Sequence, residues 1–391
     1  MTDLFQSISV APTDPILGLN DLFKKDTNPK KLNLGIGVCM DDNGNVPIMT
    51  AVKKAEAHLL ETQSTKTYVS MLGAPDFIKE TNTLLYGDTF QAETTVTAQM
   101  PAGSGALRVG FEFVKSCLGA APVYVSDVTW GNHRGIIGKT GLECRDYRYY
   151  DAETQSVNFD GMMEDLRAIQ GPAVILLHTV CHNPTGVDLS KEQWQTVSEL
   201  FKKNDQLVPF MDCAYQGFAQ SLEEDIYALR LFTEANLSFI QCYSYSKNMA
   251  LYRERIGALS IRTSNPEKTE AISTQVQSIV RGIYSSPPAH GGEIVSTILG
   301  SKDLRAEWEA ELNQMRERAK GIRAELASRR PELAFLTQQN GLFSMIGLSK
   351  ETIDQLRTEF GIYIVGNSRI NIAGFNPAGL AYFCEALDQV S

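Results

Sequence analysis

The chain has 391 residues, 43% of which are hydrophobic, so it is long enough for a large α/β domain with a smaller appended one. Its net charge of −10 and the lack of a long basic run argue against nucleic acid as the main partner. No signal peptide and no apolar run of the ~20 residues that span a bilayer is visible, and the seven cysteines form no Cys-x-x-Cys motif. We therefore expect a cytoplasmic protein without a membrane partner.

Helices and loops dominate the elements predicted before residue 95. Asp14 and the proline after it are typical of a helix start, and residues 32–38 form a short predicted strand that runs into glycine. Residues 47–62 have the spacing of an amphipathic helix. An aromatic loop at 68–73 precedes a helix that starts at Asp76.

From Val96 onward, predicted strands alternate with helices. The run at 173–180 is almost unbroken apolar sequence, which implies burial on both faces. This alternation predicts a mostly parallel α/β sheet, with ligand sites just beyond the carboxyl ends of its strands. The predicted strands are 96–100, 123–127, 142–149, 173–180, 207–211, 238–243 and 256–261.

After about residue 283 the pattern changes to one long helix and a mixed tail. Apolar residues recur there at spacings of four and three, which places them on one face of a helix that links to a second domain. These residues are Leu304, Trp308, Leu312, Met315, Ala319, Ile322 and Leu326. Short strands at 342–346, 363–365 and 369–373 and a closing helix from Pro377 predict a small α+β domain.

Lys247 stands just beyond a predicted strand, in the sequence Ser244-Tyr-Ser-Lys247, where a sheet ends and a site opens. Burial at such a place lowers the pKa of a lysine, which makes its amine nucleophilic and suited to condense with a carbonyl. Ser244 and Arg255 are suited to hold an anion such as a phosphate. The alternative is an ordinary surface lysine on a loop.

Gly103 and Ser104 open a helix predicted over 106–118, and this arrangement is typical of a phosphate cradle. It is not the dinucleotide fingerprint, because the next glycine after Gly105 is Gly110. The alternative is an ordinary turn.

Polar and aromatic residues follow two other predicted strands. Asp212 needs a partner if it is semi-buried, and a protonated pyridine nitrogen would suit it. Tyr215 is placed to reach a phenolate-like oxygen, while Trp130 offers a ring for stacking and His133 an imidazole to orient the carboxylate. The alternatives are a helix-capping aspartate and core aromatic residues.

Two other motifs lead to weaker hypotheses. His178 and His182 have the spacing of metal ligands on a helix, but they lie on a strand end and in a Pro-containing loop, so we expect no metal. Ser244-x-x-Lys247 and Lys139-Thr-Gly141 match motifs of penicillin-binding proteins. Their order is reversed and no Ser-Asp-Asn lies between them, which disfavours a serine hydrolase.

Together, a reactive lysine, a phosphate cradle, an arginine, an aspartate for a ring nitrogen, and an asparagine and a tyrosine for a ring oxygen describe a pyridoxal 5′-phosphate site. The sequence resembles the class I (fold type I) pyridoxal-phosphate aminotransferases, in the aspartate and aromatic amino acid branch. The resemblance extends from Asp14-Pro-Ile-Leu-Gly-Leu to Asn367-Ser-Arg-Ile-Asn-Ile-Ala-Gly374. Its most specific motifs are Cys181-His-Asn-Pro-Thr-Gly186 and Ser244-Tyr-Ser-Lys247.

The resemblance implies an α/β protein whose large domain has a mostly parallel seven-stranded sheet, joined to a smaller α+β domain. It implies an N-terminal arm and part of the small domain at 1–47, a large cofactor-binding domain at 48–300 and a small C-terminal domain at 301–391. It also implies a homodimer in which each active site borrows residues from the other subunit.

The resemblance also assigns roles to residues. Lys247, Asp212 and Tyr68 would be catalytic: Lys247 would bind the cofactor and carry the proton of the substrate Cα, Asp212 would hold the pyridine N–H, and Tyr68 would reach in from the other subunit. The implied cofactor-binding residues are Gly103, Ser104, Trp130, His133, Asn183, Asp212, Tyr215, Ser244, Lys247, Arg255 and Tyr68.

The implied substrate contacts are Gly37, Trp130, Asn183, Arg281 and Arg369. Arg369 would grip the α-carboxylate as a bidentate fork, and Arg281 from the other subunit would meet the side-chain carboxylate of aspartate or glutamate. Ser286 stands where aspartate-preferring members often have asparagine. Aromatic-preferring relatives resemble the version with serine.

We therefore predict ping-pong amino transfer between aspartate and/or aromatic amino acids (Tyr, Phe) and 2-oxoglutarate. One alternative is another pyridoxal-phosphate reaction, either decarboxylation or β-elimination. A second alternative is a non-catalytic effector-binding module of a transcription regulator, which the acidic chain and the absence of a preceding basic segment disfavour. The sequence does not rank aspartate against tyrosine or phenylalanine.

Overall fold

The structure is a computed structural model that describes residues 4–390. Its β-strands are β1 Leu32–Asn33, β2 Thr95–Pro101, β3 Val123–Ser126, β4 Cys144–Tyr147, β5 Tyr150–Asp151, β6 Ser156–Val157, β7 Ala173–His178, β8 Leu207–Cys213, β9 Phe239–Ser244, β10 Ile256–Arg262, β11 Phe343–Met345, β12 Ile362–Tyr363 and β13 Arg369–Asn371.

The α-helices are α1 Pro15–Lys25, α2 Thr50–Thr62, α3 Pro75–Tyr86, α4 Ala102–Cys117, α5 Gly131–Thr140, α6 Phe159–Ala168, α7 Lys191–Lys203, α8 Tyr227–Glu234, α9 Thr269–Ile283, α10 Ala289–Gly300, α11 Lys302–Arg329, α12 Lys350–Phe360 and α13 Pro377–Val390. Short 3₁₀ helices occupy Leu4–Ser7, Gly87–Thr89, Glu224–Ile226, Pro266–Lys268, Pro331–Gln338 and Ile372–Gly374.

The central sheet has seven strands in the order β2-β10-β9-β8-β7-β3-β4. Strand β10 is antiparallel to both of its neighbours, whereas β9, β8, β7, β3 and β4 run parallel to one another. The predicted mostly parallel sheet is therefore confirmed, and each predicted strand between 96 and 261 is one of its members. The apolar strand β7 is buried along nearly its whole length, because helices cover both faces of the sheet.

Several predicted boundaries were wrong by a few residues. Helix α4 begins at Ala102 rather than at 106, so the glycines form its first turn, where backbone N–H groups need no partner within the helix. The predicted strand at 32–38 ends at Asn33, since side chains from distant parts of the chain hold the backbone of the following residues. The strand predicted at 142–149 is shorter in the structure and spans Cys144–Tyr147. Asp14 caps α1 as predicted, accepting hydrogen bonds from the backbone of Ile16 and Leu17.

A second, smaller body combines both ends of the chain. Strand β1 pairs in parallel with β12, and β11 pairs with β13. Helix α11 links this body to the sheet: its Trp308 packs in the core around the sheet, and its Leu326 packs in a separate core with residues of α12 and α13. The division at 1–47, 48–300 and 301–391 stays a prediction.

Within residues 4–390, no helix is both long enough and apolar enough to cross a lipid bilayer.

The contact of α4 with the sheet requires glycine at position 110. A Cβ atom there would lie 2.6 Å from Cζ of Phe210, a buried ring of β8 that also stacks on Phe111 with 4.6 Å between ring centroids. Helix α4 therefore sits close to the sheet, and this position sets where its N-terminus lies.

We expect Gly110→Ala to lower the free energy of unfolding by about 1–3 kcal/mol, because the added methyl group pushes α4 away from Phe210. The matched control is Gly138→Ala in the exposed face of α5, where no atom lies within 4 Å of the added Cβ and helix propensity favours alanine by about 0.5–1 kcal/mol. Urea unfolding curves would measure both. Equal midpoints for the two variants would contradict the close packing of α4.

Candidate active site

The carboxyl ends of the parallel strands bring the chemically active side chains to one edge of the sheet. Strand register places His178 of β7 beside Asp212 of β8, and Cys213 of β8 beside Tyr243 of β9. Ser244 is the last residue of β9, and Lys247 follows in the next turn. One cavity opens at this edge, as expected for an open α/β sheet.

The structure brings eleven of the predicted site residues together as walls of this cavity. They are Gly37, Gly103, Ser104, Trp130, Asn183, Asp212, Tyr215, Ser244, Lys247, Arg255 and Arg369.

Asp212 keeps its negative charge although it is only 8% exposed. Nε2 of His133 lies 3.0 Å from its Oδ2, while Nδ1 of His133 lies 2.9 Å from Oγ1 of Thr129, which in turn lies 3.0 Å from Nε2 of His178. Burial acts to raise the pKa of Asp212, but the hydrogen bond with His133 and nearby positive charge, including that of Lys247, together outweigh burial and hold that pKa below its usual value. The carboxylate is thus an oriented anion at the base of the cavity.

Lys247 is half-buried at the cavity wall, with its Nζ 5.3 Å from the ring centroid of Tyr215. Desolvation lowers the pKa of the Lys247 ammonium to about 8; the charge of Asp212 opposes this effect and that of Arg255 adds to it. A lysine with this pKa carries a substantial fraction of neutral, nucleophilic amine near neutral pH.

Arg369 is 4% exposed, and its neighbours are neutral. Its Nη1 donates to Oδ1 of Asn183 at 3.3 Å and its Nη2 to the carbonyl oxygen of Gly35 at 2.6 Å, while its guanidinium lies 4.0 Å from the ring centroid of Phe343. Its Nε is buried without a hydrogen-bond partner in the part of the chain that the structure describes. A buried cation with these partners is suited to receive an anionic ligand.

The first turn of α4 and the end of β9 lie side by side at the cavity wall, since a Cβ atom at Gly103 would lie 3.3 Å from Cβ of Ser244. Gly103 and Ser104 expose backbone N–H groups at the positive end of a sixteen-residue helix, beside the Ser244 hydroxyl. Arg255 is exposed at the rim and donates to the carbonyl oxygen of Tyr252 at 3.3 Å. These groups together offer the donors that a phosphate requires.

The loop 35–39 covers one side of the cavity and is held by distant side chains. Nδ2 of Asn371 donates to the carbonyl oxygens of Ile36 and Val38 at 2.7 and 2.8 Å. A Cβ atom at Gly37 would lie 2.5 Å from Cζ of Phe343, so glycine lets the loop approach that ring. The loop therefore lies directly over the ring beside Arg369.

Tyr68 and Arg281 do not line the cavity of their own chain. Tyr68 is 92% exposed, and Arg281 is exposed near the end of α9. Their predicted roles require a second subunit, so both roles stay predictions.

His178 and Phe343 are among the residues lining the cavity that sequence reasoning did not assign to the site. His178 had a usable signal, because it ends an apolar strand just as Asp212 does; burial lowers its pKa to about 3, so it is neutral. Phe343 gave no signal, since its role depends on packing against a strand distant in sequence.

Among residues 4–390, no group of three or more His, Cys, Asp or Glu side chains is arranged to hold a metal ion.

Comparisons with known proteins agree with this geometry. The sequence profile of the family "Aminotransferase class I and II" matches residues 29–387. The chain is 44% identical to the aspartate aminotransferase of Escherichia coli (strain K12) over 99% of this chain and 100% of that protein.

Two solved structures are similar along their whole length. The aromatic-amino-acid aminotransferase from Burkholderia pseudomallei, covalently bound to pyridoxal phosphate, has a TM-score of 0.96 at 41% identity, covering 100% of both chains. The psychrophilic aromatic amino acid aminotransferase from Psychrobacter sp. B6, cocrystallised with aspartic acid, has a TM-score of 0.96 at 40% identity, covering 99% of both chains.

The lowered pKa of Lys247 has a measurable consequence. In cofactor-free protein, the rate at which Lys247 reacts with an aldehyde should rise with pH through a midpoint of about 8, because only the neutral amine attacks. In Asp212→Asn the midpoint should fall further, since the Asp212 charge raises this pKa. Mass spectrometry of the borohydride-trapped peptide measures the rate, with Lys247→Ala as the blank. A midpoint near the ordinary lysine value of about 10.4 would contradict the desolvation argument.

Proposed function

Because the chain belongs to the class I and II aminotransferase family, we propose that it uses pyridoxal 5′-phosphate to transfer the α-amino group of aspartate and aromatic amino acids to 2-oxoglutarate. The observation that carries the proposal is the convergence of Lys247, Asp212 and Arg369 on one cavity. Their amine, carboxylate and guanidinium match, in turn, a carbonyl, a protonated ring nitrogen and a substrate carboxylate.

The remaining donors fit the cofactor. Gly103, Ser104, Ser244 and Arg255 would hold its phosphate, because they combine helix N–H groups, hydroxyls and a guanidinium. Trp130 would stack on its ring.

The ring oxygen would be bonded by Asn183 and Tyr215, whose side chains are already joined by a hydrogen bond of 3.4 Å. His133 would stay behind Asp212 and keep that carboxylate charged and oriented. This division gives each polar atom of the cofactor a partner in the cavity wall.

Bound pyridoxal phosphate supplies an electrophilic carbonyl and a ring that withdraws electrons from the substrate Cα. Once the substrate amine has displaced it from the cofactor, Lys247 would take the proton from the substrate Cα and deliver it to the former carbonyl carbon, C4′, a task suited to an amine whose pKa lies near the working pH. Asp212 would hold the proton at the pyridine nitrogen. Arg369 would fix the α-carboxylate, and so orient the Cα–H bond toward the amine.

Two features support acceptance of both substrate classes. Arg281, reaching from a second subunit, would pair with the side-chain carboxylate of aspartate or glutamate. Ile16 and Trp130 form apolar walls on which an aromatic side chain would pack. The relatives named above include both an aspartate enzyme and aromatic enzymes, which favours amino transfer over decarboxylation, β-elimination or a non-catalytic module.

A homodimer with shared active sites follows from this assignment. Tyr68 and Arg281 would each serve the site of the other subunit. Within one chain, Val10 is 98%, Leu60 87% and Ile8 69% exposed, and such apolar side chains are suited to a subunit interface. A cytoplasmic location is also proposed, because the seven cysteines are free, as in a reducing compartment.

Arg281→Ala should separate the two substrate classes. We expect kcat/KM for aspartate to fall about a hundredfold, because the side-chain carboxylate of the substrate loses its cationic partner. For phenylalanine, which has no such carboxylate, kcat/KM should change less than about threefold. Coupled assays with 2-oxoglutarate measure both, with Lys247→Ala as the inactive control. Equal losses of kcat/KM with the two amino acids would contradict the proposed role of Arg281. An inactive wild-type protein would contradict the proposed function.

Shared sites predict complementation between two inactive variants. Lys247→Ala and Arg281→Ala subunits, mixed equally and refolded together, should regain about a quarter of wild-type activity toward aspartate, because half of the dimers are hybrids with one intact site. Each variant refolded alone is the control. Activity equal to the mean of these controls would place Lys247 and Arg281 of one site in the same subunit.

A further inference from the structure

Helix α11 reaches the turn that carries Lys247. Trp308 of α11 is fully buried, and its indole Nε1 donates to the carbonyl oxygen of Asn248 at 2.7 Å. Asn248 is the residue directly after Lys247. A side chain of α11 thus holds the backbone beside the reactive amine.

A second contact fixes the same residue from the sheet. Nδ2 of Asn248 donates to the hydroxyl of Tyr243 at 2.8 Å, and that hydroxyl donates to Oε1 of Gln216 at 2.6 Å. Asn248 and Tyr243 are both 0% exposed, so their polar atoms depend on each other rather than on solvent. Asn248 is therefore anchored through its backbone to α11 and through its side chain to β9.

These anchors matter because the turn has little regular structure of its own. The backbone N–H of Ala250 bonds to the carbonyl oxygen of Lys247 at 3.1 Å, and Ala250 has φ of +51°, a conformation that L-residues seldom adopt. Such a turn persists when its surroundings determine it. Trp308 and Tyr243 are the side chains that provide this constraint at Asn248.

We propose that Trp308 is a positioning residue for the reaction, acting with Tyr243 through Asn248 to keep the Lys247 amine in line with the substrate Cα. The role rests on the proposed function, since it concerns the proton that Lys247 moves. Trp308 does not line the cavity, so its effect reaches the site through the Asn248 backbone.

The position of the Lys247 amine has two independent consequences. A displaced amine slows proton transfer, for which a shift of about 1 Å costs on the order of a hundredfold, while Arg369 and the phosphate cradle still bind substrate and cofactor. A looser turn also exposes the amine to water, which returns its pKa toward the ordinary value for lysine.

The test compares two buried tryptophans. Trp308→Phe removes the indole N–H that bonds Asn248, whereas Trp194→Phe removes a comparable indole from α7, where Trp194 packs against Phe232 with 6.0 Å between ring centroids. Trp194 is 5% exposed and does not line the cavity. Both variants lose similar buried volume, so losses of stability should be similar.

We expect Trp308→Phe to lower kcat about tenfold with KM changed less than about twofold, and to raise the primary isotope effect for substrate deuterated at Cα. In cofactor-free Trp308→Phe, the pH midpoint of Lys247 modification should move above the wild-type midpoint. Trp194→Phe should keep the wild-type isotope effect and midpoint.

Tyr243→Phe offers a second variant that deletes one oxygen atom and leaves the ring in place. It should shift both readouts in the same direction as Trp308→Phe, and it decides the question if Trp308→Phe does not fold. Wild-type values of the isotope effect and the midpoint in a folded variant would overturn the proposal. The midpoint is measured without turnover, so it tests the positioning of Lys247 even if the proposed aminotransferase activity fails.

Discussion

The site depends on keeping a carboxylate charged where it is almost entirely removed from water. Desolvation alone would drive Asp212 toward its neutral form, and a neutral carboxyl could not hold the ring proton that we propose for it. The hydrogen bond with His133 and the nearby charge of Lys247 together reverse this tendency, and Thr129 orients His133 in turn. The charged Asp212 also limits how far the pKa of Lys247 falls. The same carboxylate therefore influences both the proposed ring proton and the protonation of the Lys247 amine.

Strand ends explain why much of this site was predictable from the sequence. Asp212, Ser244 and Lys247 follow apolar runs whose periodicity and length mark them as buried parallel strands, and such strands end at a common edge. Gly103 and Ser104 were found in the same way, although α4 begins earlier than predicted because glycines in a first turn need no internal hydrogen bond. Local sequence patterns therefore predicted the large sheet and the groups at its edge.

The remainder depends on contacts between distant residues, which local patterns do not report. Arg369 is held by Asn183 and by Gly35, 186 and 334 residues away in the chain. Phe343 contacts the Arg369 guanidinium because its strand β11 pairs with β13, which begins at Arg369. The short strand β1 stops at Asn33, although its sequence continues in an extended pattern, because side chains rather than a neighbouring strand take up the carbonyl groups of Gly35, Ile36 and Val38.

The pairing of β1 with β12 also sets an order of events during synthesis. Leu32 and Asn33 find their strand partners only at Ile362 and Tyr363, and Gly35 receives its hydrogen bond from Arg369. At roughly 5–20 residues per second, a ribosome needs tens of seconds to add the intervening chain. A nascent polypeptide can therefore complete the sheet, with Lys247, Gly103 and Ser104 at its edge, before Arg369 emerges.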